Sequence, residues 1–218
     1  MHLSSPAVAS FLRPIRTALV LVFLVSLVCL TPPSAHAQSD EARPQSYTKG
    51  LYVQGMLSGG TLAFDDFDGT DPGFSFSGRL GYGITNTFGL FAEFDVGAFN
   101  AESEFTEVVH APEYVVGAFN VGGQVNFRSG KQWVPYGELA LTGLITGDEL
   151  SNTFSAGGLT VGGGVKYYLT DRWALDGRLH LSPIEISSLD YDGQELEGVD
   201  VNAISTRLSI GVTWFITR

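Results

Sequence analysis

The chain carries one cysteine, Cys29, and three lysines, Lys49, Lys131 and Lys166. Cys29 lies in a segment that reads as a removable leader, so the rest of the chain has no thiol. Disulfide frameworks and thiol chemistry are excluded there. Val28 stands before Cys29, where a lipoprotein signal carries a small residue, and lipidation is excluded as well. Past the leader there is no apolar run long enough for a helical membrane span. That absence leaves strand-built membrane proteins open, because their strands are short and only half apolar. No phosphate-cradling glycine loop, no G-x-G-x-x-G opening a helix and no metal-spaced Cys/His set is present. No cofactor and no resident metal are expected. With 12 basic against 23 acidic residues and no basic tract, no nucleic-acid partner is expected either.

The leader is built in the usual order. Arg13 and Arg16 precede an apolar stretch from Ala18 to Leu30. Thr31-Pro32-Pro33 ends it, and Ala35-His36-Ala37 is a small-x-small cleavage site. Residues 1–37 therefore read as a cleaved secretory signal peptide, since a transmembrane helix needs about 20 apolar residues. Residues 38–48 read as a short polar lead-in and 49–218 as one domain. Twenty-seven glycines and few helix-forming segments point to an all-β architecture.

The stretch from Leu159 to Leu181 sets the pattern. Leu159, Val161, Val165, Tyr167 and Leu169 alternate with Thr160, Gly162, Gly164, Lys166 and Tyr168. After the turn Thr170-Asp171-Arg172, Trp173, Leu175, Leu179 and Leu181 alternate with Ala174, Asp176, Arg178, His180 and Ser182. A period of two is a strand signal. Tyr167, Tyr168 and Trp173 lie by the turn, where an aromatic girdle would mark a membrane interface.

The same pattern recurs along the chain. It predicts strands over 50–58, 74–84, 88–99, 114–127, 133–145, 159–169, 173–181 and 202–216. Three short turns alternate with four longer connections at 59–73, 100–113, 146–157 and 183–201. An even strand count with short turns at one end and long loops at the other is the pattern of an eight-stranded antiparallel up-and-down transmembrane β-barrel. A soluble ligand-binding barrel is the competing reading. Against it, Phe76, Leu80, Phe94, Leu141, Ile210 and Trp214 share the outward face, while the charges fall on the other.

These segments resemble a known family, the small eight-stranded outer-membrane β-barrels with the OmpA-like or "porin family" barrel domain. The carriers are G-L-Y-V-Q-G from Gly50, W-V-P-Y-G-E-L from Trp133, G-G-G-V-K-Y-Y-L-T-D-R-W-A-L-D from Gly162, and R-L-S-I-G-V-T-W-F-I from Arg207. The resemblance implies export to a Gram-negative outer membrane and contact with its lipid and lipopolysaccharide. It also implies insertion by the β-barrel assembly machinery through the C-terminal strand, and a monomer. Members commonly end on Phe; here Ile216 holds that place and Thr217-Arg218 follow. The family is functionally mixed, so the resemblance implies a fold and a location rather than an activity.

Three constellations are candidates for chemistry. Arg79, Lys166, Arg178 and Arg207 share the inward face with Glu93, Asp95, Glu138 and Asp176. Eight strands enclose just enough room for side chains, which favours a closed, ion-paired lumen over a narrow channel for small solutes. Arg79 and Glu93, neighbours across one short turn, are the expected lead pair. His180-Leu181-Ser182 faintly resembles the His-x-Ser of outer-membrane lipid A deacylases, with Glu185 or Glu195 as the acid. Pro183 departs from that pattern and both residues face the lumen, so no catalytic residue is expected. Asp66, Asp68 and Asp71 are spaced roughly like a calcium loop without its closing Glu, and form at most a weak cation site. The four long connections carry 16 acidic residues and no Lys or Arg. The expected role is structural or surface-interactive, with an acidic outer face.

Overall fold

The computed structural model describes residues 48–65, 68–100, 102, 113–147, 153–191 and 194–216. Among these there is no helix. Eight strands follow in order: β1 (Gly50–Phe64), β2 (Asp71–Gly83), β3 (Phe88–Asn100), β4 (Glu113–Asn126), β5 (Trp133–Gly147), β6 (Thr153–Tyr168), β7 (Trp173–Tyr191) and β8 (Gln194–Phe215). Each pairs antiparallel with the next, and β1 pairs with β8, so the sheet closes and has the all-next-neighbour order of an up-and-down barrel.

The register fixes the shape. Following paired residues once around the barrel leads from Gln54 through Arg79, Glu93, Asn120, Thr142, Gly158, Ile184 and Ala203 to Phe64, ten residues further along β1. With a rise of about 3.3 Å and a strand spacing of about 4.8 Å, that offset tilts the strands by about 40°. Each residue then climbs about 2.5 Å along the axis, so an apolar band of about 25 Å takes some ten residues. The outward Phe74, Phe76, Leu80, Tyr82 and Ile84 of the β2 region, and Leu208, Ile210, Val212, Trp214 and Ile216 of the β8 region, are exposed over such a stretch.

Three expectations change. The strands run past the band at the long-connection end: β1 continues to Phe64, and β7 and β8 stay paired so far that only residues 192–193 separate them. Most of the segment 183–201, read as a loop for its charges, is therefore hairpin. Period two persists there with reversed polarity: Ile184 and Ile186 are buried inward while Glu185 is exposed. Beyond the band the outer face meets water rather than lipid, and the apolar residues turn in. Tyr168 leaves the expected girdle, because its side chain is fully buried in the lumen. Asp71 is a buried strand residue and not part of a loop tip.

Candidate functional site

The lumen is filled in three layers. At the short-turn end Tyr52, Val134, Tyr168, Ala174 and Phe215 form an apolar cluster, with Phe215 against Tyr52 and Tyr168 at 5.5 Å between ring centroids. At the opposite end Leu62, Phe64, Phe99, Tyr114, Val116, Leu144, Ile184 and Ile186 are among the members of a second, larger one. Between them lies a polar waist that holds all eight charged residues nominated from the sequence, each buried.

The waist centres on Glu138 of β5. Arg79 of β2 reaches across the lumen and donates from Nη1 and Nη2 to the two oxygens of Glu138, at 2.7 and 3.0 Å. Its Nε donates to Glu93 Oε2 at 2.7 Å, and its guanidinium lies 3.8 Å from the centroid of the Phe91 ring. Arg178 of β7 comes from the other side, with Nη2 2.6 Å from Glu93 Oε2 and Nη1 3.8 Å from Glu138 Oε1. His180 Nε2 also contacts Glu138. Such planar bidentate geometry is what an Arg fork offers a carboxylate. Arg79 and Glu93 are direct register partners. Sequence reasoning missed Glu138 as the hub: parity puts it inside the barrel, but only the ten-residue offset brings it level with Arg79.

Two smaller groups flank the hub. Arg207 Nη1 lies 3.0 Å from Asp95 Oδ2, which also accepts from Ser75 at 3.1 Å. Lys166 Nζ is 3.8 Å from Asp176 Oδ2 and donates to Gln124 Oε1 at 2.9 Å, with the Tyr136 ring 4.4 Å away. Asp176 accepts in turn from Gln54 Nε2 and from Tyr136 Oη, both at 2.7 Å. Buried charges cost heavily unless they are paired, and each nominated charge here lies within 3.8 Å of an opposite one.

Glycines make the room. A Cβ on Gly162 would fall 2.2 Å from the His180 ring, and one on Gly164 would fall 2.7 Å from Tyr136 Oη and 2.8 Å from Arg178 Cβ. Gly81 lies in the same way beneath Tyr52. Gly162 and Gly164, the lumen-facing members of the glycine run, thus form a floor over which large polar side chains of neighbouring strands lie.

Among the described residues the other two candidates are not brought together. Ser182 shares a hydrogen bond of 2.6 Å with Thr160, which continues to Thr142 at 2.5 Å, while His180 engages Glu138. That is a chain of hydroxyls rather than a nucleophile beside its base. In the cation candidate, Asp71 accepts from Tyr114 Oη at 2.8 Å and from the Glu102 backbone N–H at 2.9 Å. Its carboxylate is turned inward, away from exposed Asp68, and Asp66 lies outside the described residues. Among the described residues no three His, Cys, Asp or Glu are grouped to hold a metal.

A closed antiparallel barrel with an apolar outer belt defines an outer-membrane-type barrel. The family model for the outer membrane protein beta-barrel domain matches residues 21–211, and the chain belongs to that family. No curated protein matches the chain. Among solved structures it is similar to Neisserial surface protein A, at 20% identity and a TM-score of 0.56, covering 76% of this chain and 97% of that one. It is also similar to the outer membrane protein OprG from Pseudomonas aeruginosa, at 12% identity and a TM-score of 0.51, covering 78% and 98%. At these identities the likeness concerns the fold.

Proposed function

We propose that this barrel is a closed, non-conducting outer-membrane protein whose role is to present its long-connection end at the cell surface. The observation that carries the reading is the three-layer filling of the lumen. Two apolar clusters bracket a waist of four cations and four anions, all paired. An ion crossing the barrel has to displace both clusters and break the waist. The acidic connections give the presented end one sign of charge, which attracts cations and basic surfaces and repels anions. The protein works as a monomer in outer-membrane lipid and lipopolysaccharide, enters through the assembly machinery by its terminal strand, and carries out no catalysis. The test is single-molecule conductance of the refolded barrel in a planar bilayer. Silence at neutral pH supports the closed reading. Steady unitary currents that change when Glu138 is replaced would establish the alternative, a narrow pore through the waist.

A further inference from the structure

The end opposite the acidic connections has its own chemistry. Its turns, 84–87, 127–132 and 169–172, are short. Lys49, Arg128, Lys131 and Arg172 are exposed there, with Lys49, Lys131 and Arg172 nearest the outer-wall aromatics in sequence or register, and Asp171 is the only acidic residue in these turns. Aromatics stand directly beside the cations. Lys131 is followed after Gln132 by Trp133, whose ring lies 4.6 Å from that of Tyr167, and Gln132 Nε2 donates to Tyr167 Oη at 3.0 Å. Arg172 is followed by Trp173, which stacks on Trp214 at 5.7 Å between centroids. All three tryptophans of the chain are thus at this end, with side chains 39–60% exposed on the outer wall of the barrel.

Indole and phenol rings on the outside of a barrel mark the level where acyl chains give way to head groups. A lysine or arginine one or two residues beyond that level lies at the height of the phosphates. The girdle is continuous with the lipid-facing belt, so what meets these cations is the same leaflet that covers the belt. We infer that the short-turn end is a seat for anionic phospholipid head groups, formed by Lys49, Lys131 and Arg172 around the Trp133–Tyr167 and Trp173–Trp214 pairs. The cations then hold the short turns to the anionic head groups of the leaflet they meet.

The inference rests on the outward belt being embedded in lipid, and one experiment separates the two. The barrel is refolded into phosphatidylcholine vesicles carrying either brominated phosphatidylglycerol or brominated phosphatidylcholine at the same low mole fraction. Tryptophan fluorescence is then read. Because every tryptophan is at the short-turn end, the quenching reports that end alone. The brominated anionic lipid should quench more strongly, with a relative association of roughly fivefold per engaged cation at low salt. The triple variant K49Q/K131Q/R172Q should quench equally with both lipids while retaining its far-ultraviolet β signal. Equal quenching in the unaltered chain, or a preference that survives the triple substitution, overturns the seat. Absence of quenching by either lipid overturns the membrane embedding itself.

Discussion

At the waist of the barrel Glu138 gathers Arg79, Arg178 and His180; towards the long-connection end Leu62, Phe64 and Ile186 pack into an apolar cluster. Both regions are inward-facing parts of the same eight strands, with the same period. They differ in what lies on the other side of the wall. At the waist the wall faces lipid, so outward positions must be apolar and the polar residues have only the lumen to occupy. Past the lipid band the wall faces water, and the strands behave like those of a soluble barrel, with carbon inside and charge outside. One alternation thus serves two solvents, and its polarity inverts where the solvent changes.

The comparison breaks most severely at Glu138. Glu138→Gln removes the anion that Arg79, Arg178 and His180 share and leaves cations in a buried layer. The expected loss is about 3–5 kcal/mol in reversible urea unfolding of the folded barrel. Adding Arg79→Met should return part of it, because the uncompensated charge leaves with the arginine. Additive losses in the double variant would mean that the waist is not coupled.

The apolar layer at the far end should respond in a different currency. Leu62 is 2% exposed, and Leu62→Ala opens a cavity without touching any charge. A loss of about 2–4 kcal/mol is expected, insensitive to the salt concentration at which unfolding is measured. A loss below about 1 kcal/mol would show the layer to be loosely packed, and the water-side half of the comparison would fail.

A smaller effect sharpens the waist itself. Gly162→Ala puts a methyl group where the His180 ring lies, so the ring must leave its contact with Glu138. Overpacking of this kind costs about 1–3 kcal/mol. The control is Gly78→Ala on the outward face, where nothing lies within 4 Å of the added carbon. Equal effects at the two glycines would deny that Gly162 is kept small for the histidine.

These positions also mark how far the sequence could be read. Parity alone assigned the nominated charges to the inner face, and a short turn made Arg79 and Glu93 partners. Parity says nothing of height along the axis. Glu138 is level with Arg79 only because the register advances ten residues per circuit, a property of closure that no local pattern encodes. The β7–β8 extension is hidden in the sequence for a different reason. Glu185 and its acidic neighbours look like loop composition, and the Ile184–Ile186 alternation is legible only once polarity is allowed to invert. Tyr168 sits beside Tyr167 near the turn, yet its parity points inward, as its full burial shows.

Asp71 is where the two regimes meet, and it should give the smallest effect. It is fully buried at the start of β2, next to the apolar layer, yet it holds a carboxylate. Tyr114 Oη and the Glu102 N–H both donate to it, so it ties β4 and the start of the β3–β4 connection to β2. In Asp71→Asn the amide oxygen can accept from the Glu102 N–H while the amide N–H₂ donates to a rotated Tyr114 hydroxyl. Both links survive, and only their charge-assisted strength is lost. The expected cost is about 1 kcal/mol. Asp71→Ala removes both acceptors and should cost about twice that, leaving a buried hydroxyl and a backbone N–H without this partner. Asp68→Asn, at an exposed residue, should be silent within about 0.5 kcal/mol. Calcium titration of the unaltered barrel separates the tie from the cation site that the spacing of Asp66, Asp68 and Asp71 suggests. A carboxylate already committed to two donors inside the wall is not a loop ligand, so the melting temperature should show no saturable millimolar response. A saturable response abolished equally by Asp68→Asn and Asp71→Asn would require Asp71 to turn outward, and would overturn its assignment to the buried tie.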